Sequence, residues 1–268
     1  MWSRISVRRY AQIALLTVLA CLGLWSSVSA QMQREIQRLF RDLQNNRQPP
    51  KDTEFVFARI HFNGRYSRMG AGGFMFRGLE GWAHDYPDAE EHILQVASEA
   101  TNINLKKDSY AIVNLSSEDL FKFPFIYFSE VGEMNLLPEE MVNLREYFNR
   151  GGFAMVDDFD GVGQLDWFLS QMKQVFPERD FVEMTIEHPL FHTFYELPTL
   201  NVIPPYETAA PPKFYGYYDD RGRLCMIINL NHDLGDFWEW IDQPMYPLAP
   251  STEALRFGIN YFLFALSH

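Results

Sequence analysis

Acids and histidines gather in this chain where its apolar runs stop. Asp157, Asp158 and Asp160 follow Phe153-Ala154-Met155-Val156, and Glu130 follows Phe125-Ile126-Tyr127-Phe128. His84 and Asp85 lie together in a loop, His188 precedes Pro189, and His232 and Asp233 come just after Leu224–Leu230. Carboxylate oxygens and neutral imidazole nitrogens suit Zn, Mn or Fe, and a cation would relieve repulsion among clustered acids. The same acids could serve as general bases. The candidate ligand-binding set is therefore His84, Asp85, Glu130, Asp157, Asp158, His188, His232 and Asp233, with a divalent metal as an alternative occupant. No complete catalytic motif accompanies it. His188 and His192 stand four apart, but Pro189 opposes a regular helix there, and no His-Glu-x-x-His occurs. Part of the pattern has a plainer explanation: Asp85 and Asp88 could cap the following helix, and Asp160 stands before another, where the helix dipole favours an acid.

The elements that must position these residues alternate in type. Strands are expected at Phe55–Ile60, Ala111–Leu115, Phe125–Phe128 and Phe153–Val156. Helical spacing places Ala89, Ile93, Val96, Ala97 and Ala100 on one face, Met141, Leu144, Tyr147 and Phe148 on another, and Leu165, Phe168, Leu169, Met172 and Val175 on a third. Pro138-Glu139-Glu140 is a helix start, and Gly151-Gly152 a stop. Strand alternating with helix predicts a mostly parallel α/β sheet, whose ligand crevice lies past the carboxyl ends of its strands. After Pro177 the pattern changes. Phe214–Tyr218 and Arg223–Leu230 flank Asp219-Asp220-Arg221-Gly222 as a hairpin, and the apolar stretch 254–266 is a core helix too short to span a bilayer.

Of 268 residues, 47% are apolar, enough for one sizeable core. The amino terminus has Arg4, Arg8 and Arg9, an apolar run from Ala11 to Trp25, and small residues up to Ala30: an export signal over residues 1–30. An uncleaved anchor and lipidation at Cys21 are the competing readings. Without that segment 20 Lys+Arg face 35 Asp+Glu, a balance of −15 that excludes nucleic acid as a partner and favours cations. Residues 31–52 form an amphipathic helix, with Ile36, Leu39, Phe40 and Leu43 as its stripe, and a Pro49-Pro50 linker. Cys21 and Cys225 are the two cysteines; Cys225 sits in an apolar run and is expected to be buried and inert. Gly70-Ala71-Gly72-Gly73 matches neither the dinucleotide fingerprint nor a phosphate loop.

Gly81-Trp82-Ala83-His84-Asp85-Tyr86-Pro87-Asp88-Ala89-Glu90, the run 151–159, His188-Pro189, Asn231-His232-Asp233 and Asn260-Tyr261 together resemble the bacterial domain of unknown function 4159, over roughly residues 53–268. The resemblance implies a flavodoxin-like sheet with flanking helices, as in class I glutamine amidotransferases, and no settled activity. On that likeness Ser129-Glu130-Val131-Gly132 resembles the loop that helps form an oxyanion hole, and Asp157 or Asp158 falls where the cysteine nucleophile would be. No cysteine lies nearby, so thioester chemistry cannot run and glutaminase activity is excluded.

Three functions follow as expectations. The first is an exported, non-catalytic module binding a small molecule or protein partner. The second is a metal-dependent hydrolase, which requires Asp158, His84 and His232 to converge. The third is a carbohydrate protein using Trp82, Trp238 and Trp240 beside acids, which requires those rings to face outward.

Overall fold

The computed structural model describes residues 33–34, 36–43, 48–65 and 81–267. The expected export signal, Cys21 and the Gly70–Gly73 loop lie outside them. The chain divides into two units, Met1–Arg41 and Asp42–His268. In the first, the described residues are helical, with Leu39 buried and Phe40 exposed. The expected stripe is thus only partly covered.

The second unit carries a seven-stranded sheet: β1 (Phe57–His61), β2 (Tyr110–Asn114), β3 (Phe125–Ser129), β4 (Phe153–Asp157), β5 (Val182–Glu183), β6 (Lys213–Tyr218) and β7 (Leu224–Leu230). Their order is β2-β1-β3-β4-β7-β6-β5. The first four strands and β7 run parallel, while β6 and β5 are antiparallel additions at one edge. The parallel part has the flavodoxin-like order, with its topological switch between β1 and β3. Every residue of β3, β4 and β7 is buried, as expected of central strands covered on both faces. The expected hairpin is β6–β7, and the two-residue β5 is an addition that no run of apolar residues announces.

Among the described residues of this unit, five helices flank the sheet: α1 (Asp88–Ala100), α2 (Pro138–Asn149), α3 (Gly161–Val175), α4 (Leu234–Glu239) and α5 (Leu248–Ser267). Pro138 opens α2, and Glu140 accepts a hydrogen bond from the Leu137 amide at 2.8 Å, which satisfies an otherwise orphaned donor. Past its end Gly151 takes φ 106°, the left-handed stop that glycine adopts without a Cβ clash. Phe262 of α5 packs its ring against Phe55, Phe57 and Phe125 at 4.6–5.8 Å, anchoring that helix to the sheet. No described helix is long and apolar enough to cross a membrane. Cys225 is fully buried, its thiol donates to the Tyr217 carbonyl, and burial pushes it up to about 12.

Candidate functional site at the carboxyl edge of the sheet

The loops leaving β1, β3, β4 and β7 meet at one edge. Among the described residues, the non-glycine positions with left-handed backbone are Asp85, Glu130, Asp158 and Asn231, with φ of 53–63°, and all four lie in these loops. Each such residue costs roughly 1–3 kcal/mol unless its surroundings compensate, and such backbones collect at functional sites. Here the compensation is visible. The Asp158 amide donates to the His232 carbonyl, the Glu130 amide to the Asp158 carbonyl, and the Asn231 amide to the Phe159 carbonyl, all at 3.0–3.1 Å. The Asn231 side chain accepts from the Gly161 amide at 2.9 Å and so pins the start of α3.

His84 Nδ1 donates to Asp158 Oδ2 at 2.8 Å and lies 3.1 Å from Asp85 Oδ1. Ser129 Oγ also donates to Asp158 Oδ2 (3.0 Å), and the Tyr206 hydroxyl reaches Oδ1 (3.4 Å). His84, Asp85, Asp158 and Asp233 each bring one ligand-type atom to within 4.8 Å of the others. Asp85 shares a second such set with Asp236 and Glu239. His84 keeps 39% of its side chain exposed, whereas Asp85, Asp158 and Asp233 are buried.

Burial and the His84 charge set the ionisation at this edge. The Asp85 charge, with Asp158 behind it, pushes His84 up to about 11 against the opposing effect of burial. Burial works against ionising Asp158, yet the His84 charge and hydrogen bonds from His84, Asp233 and Ser129 outweigh it and hold its carboxyl below the usual range. Burial drives Asp85 and Asp233 well above theirs. Glu130 is pushed up to about 9 by burial and by the neighbouring Asp158 charge. His84 and Asp158 therefore make the charged pair of the cluster, and burial opposes ionisation of the other acids around it. Neither Asp85 oxygen accepts a hydrogen bond, nor does Asp233 Oδ2, and the buried Tyr127 hydroxyl also has no partner. An unmade hydrogen bond at a buried polar group costs about 1–3 kcal/mol.

Three of the expected site residues lie apart from this cluster. Asp157 is an anchor: Asn229 Nδ2, the Leu234 amide and the Gly235 amide donate to it at 2.7–3.1 Å. Burial still pushes it up to about 7. His232 is buried among aromatic rings, its Nδ1 accepts from the Asp233 amide, and burial pulls it down to about 3. The convergence of His84, Asp158 and His232 that a hydrolase would require is thus met by the first two alone. His188 accepts from the Leu190 amide at the head of a 3-10 turn, Pro189–His192. Glu130 stays at the margin, coupled to Asp158 through charge.

Two further expectations change. Asp85 does not cap α1, because Pro87 holds the cap position without a side-chain bond and Asp85 turns into the cluster instead. Trp82 and Trp238 are 3% and 0% exposed, so they offer no outward ring for a sugar. Asp233 does two jobs: its Oδ1 caps α4 by accepting from the Asp236 amide at 2.8 Å, and the side chain brings a ligand-type atom to the cluster, with Oδ2 buried and unpartnered.

Sequence reasoning passed over Arg59, Tyr127, Ser129, Tyr206 and Asp236. Arg59 is fully buried in β1 and paired with Glu90 of α1, and its Nη1 donates to the carbonyls of Trp82 (2.9 Å) and His84 (2.8 Å). It thereby holds the loop that presents His84 and Asp85. An arginine inside Phe55-Val56-Phe57-Ala58-Arg59-Ile60 was the available signal, since a charge in a central strand must be paired.

The family model described as a domain of unknown function matches residues 72–266, a span that includes every residue of the cluster. No curated protein matches the chain.

Proposed function

Because the chain belongs to the domain of unknown function 4159 family, whose description assigns no activity, we propose its function from the site itself: an exported, non-catalytic binding module whose carboxylate cluster captures a small cationic ligand. The observation that carries this reading is the pair Asp85 and Asp233, buried acids that present oxygens without hydrogen-bond donors beside a single imidazolium. A fold with no ligand to hold would gain by neutralising or pairing such groups. On the likeness to amidotransferases, Asp157 or Asp158 stands where the cysteine would be, and the left-handed turn at Asp158 just after β4 supports a site there without the nucleophile. Export rests on the amino-terminal sequence. The hydrolase reading keeps the His84–Asp158 contact in its favour but lacks His232.

The test compares two isosteric substitutions in exhaustively dialysed protein at neutral pH. Asp233→Asn retains the cap on α4 and puts a neutral amide where burial opposes an ionised carboxylate. It should raise the melting temperature by ~2–4 °C, the equivalent of ~1 kcal/mol in a domain of this size. Asp157→Asn sets an amide N–H against groups that donate to this side chain and should lower stability by about 1–3 kcal/mol. If Asp233→Asn destabilises as Asp157→Asn does, Asp233 is structural and the binding reading fails.

A further inference from the structure

We infer that His84, Asp85, Asp158 and Asp233 form a site for one divalent transition-metal cation of the Mn2+ to Zn2+ kind. The inference rests on the binding reading above and gives its ligand a chemical class.

The geometry comes first. Four donor atoms around an ion at ~2.1 Å stand ~3.4 Å apart in a tetrahedron. Here the close pairs are 2.8 and 3.1 Å, drawn together on His84 Nδ1, and all four atoms lie within 4.8 Å of one another. An ion replacing the Nδ1 proton would open the short pairs by about half an ångström and draw in the longer ones, within the reach of side-chain rotation.

A second observation comes from outside the acids and points the same way. The Tyr127 hydroxyl, from β3, is fully buried and unpartnered. It converges with Asp85 Oδ2 and Asp233 Oδ1 on the space over the Gly235 Cα, where a Cβ would meet those three atoms at 3.0, 2.5 and 3.3 Å. Glycine at 235 leaves that space to the polar atoms. Proton sharing between Asp158 and Asp233 could account for one acid pair, but it leaves both Asp85 oxygens and the Tyr127 hydroxyl unanswered. A bound cation satisfies Asp85 directly.

The donor set selects the ion. An imidazole nitrogen among carboxylates favours Zn2+ or Mn2+ over Mg2+ and Ca2+, which prefer all-oxygen shells. Asp157 is excluded as a ligand because its oxygens already accept three hydrogen bonds. The partly exposed His84 gives an ion its way in.

The test is calorimetric titration of the chelator-stripped full-length chain with MnCl2, ZnCl2 and MgCl2, each variant first checked for a cooperative melt. One equivalent of Mn2+ or Zn2+ should bind, with Mg2+ weaker by about tenfold or more. Asp233→Asn and His84→Gln should each weaken binding more than about tenfold, and Asp219→Asn in the β6–β7 turn should leave it unchanged. Absence of binding by the wild type, or equal binding by wild type and both site variants, overturns the inference. If the wild type binds no metal while Asp233→Asn still melts higher, the metal inference falls and the binding module stands. If Asp233→Asn melts lower, both fall.

Discussion

Asp157 and Asp158 are adjacent, and the left-handed backbone at Asp158 separates their surroundings. Asp157 ends a strand and takes donors from Asn229 and the first amides of α4, whereas Asp158 meets His84, Ser129 and Tyr206. The histidines divide in the same way. His232 is buried and stays neutral, His84 is held as a cation, and His192 is a half-buried histidine with a structural partner at each nitrogen. His192 Nε2 donates to the Ile186 carbonyl and Nδ1 to Glu196, both at 2.6 Å; the carbonyl first, then the carboxylate, raise its pKa. Both bonds need the protonated ring, so its stabilisation is fully present below the unfolded value of about 6.5 and fades as pH climbs through the raised folded value. The melting-temperature gap between wild type and His192→Gln should therefore be widest near pH ~5.5 and close in alkali. A gap constant across that range would show that the imidazolium contributes nothing.

At the scale of elements, the site depends on a loop held from beneath. Arg59 reaches from β1 to two carbonyls of the His84 loop and to Glu90 on α1, so one side chain sets strand, loop and helix together. Removing one partner of a buried pair strands the other, at a cost of about 3–5 kcal/mol. Arg59→Met should lose stability on that scale in chemical denaturation; a loss under about 1 kcal/mol would mean the loop is held by other contacts. This tie was not legible in sequence, because Glu90 lies 31 residues away and nothing local links them. By contrast, β4 was plain, since an unbroken apolar run must be buried on both faces. The hairpin was plain too, because Asp219-Asp220-Arg221-Gly222 separates two apolar runs. Asp85 admitted two readings, helix cap and site residue, because the two look alike locally. The left-handed φ at Asp85 and Pro87 in the cap position show which it is. Among the acids, sequence named Asp85, Asp158 and Asp233 but not which of their neighbours were already satisfied, since that depends on donors from Asn229 and α4.

For the molecule as a whole, strand order explains where the site sits. With β2 and β3 on opposite sides of β1, the crossovers diverge and open a crevice beyond the carboxyl ends. His84 and Asp85 enter it after β1, Asp158 after β4 and Asp233 after β7, and Tyr127 looks in from β3. The acidic balance of the chain favours the approach of cations in general. The most direct measurement is an anomalous difference map at the zinc edge from crystals soaked in ZnCl2. It should show a peak about 2.0–2.2 Å from His84 nitrogen and the oxygens of Asp85, Asp158 and Asp233. Peaks only at exposed carboxylates, with none among these four side chains, would contradict the cation site.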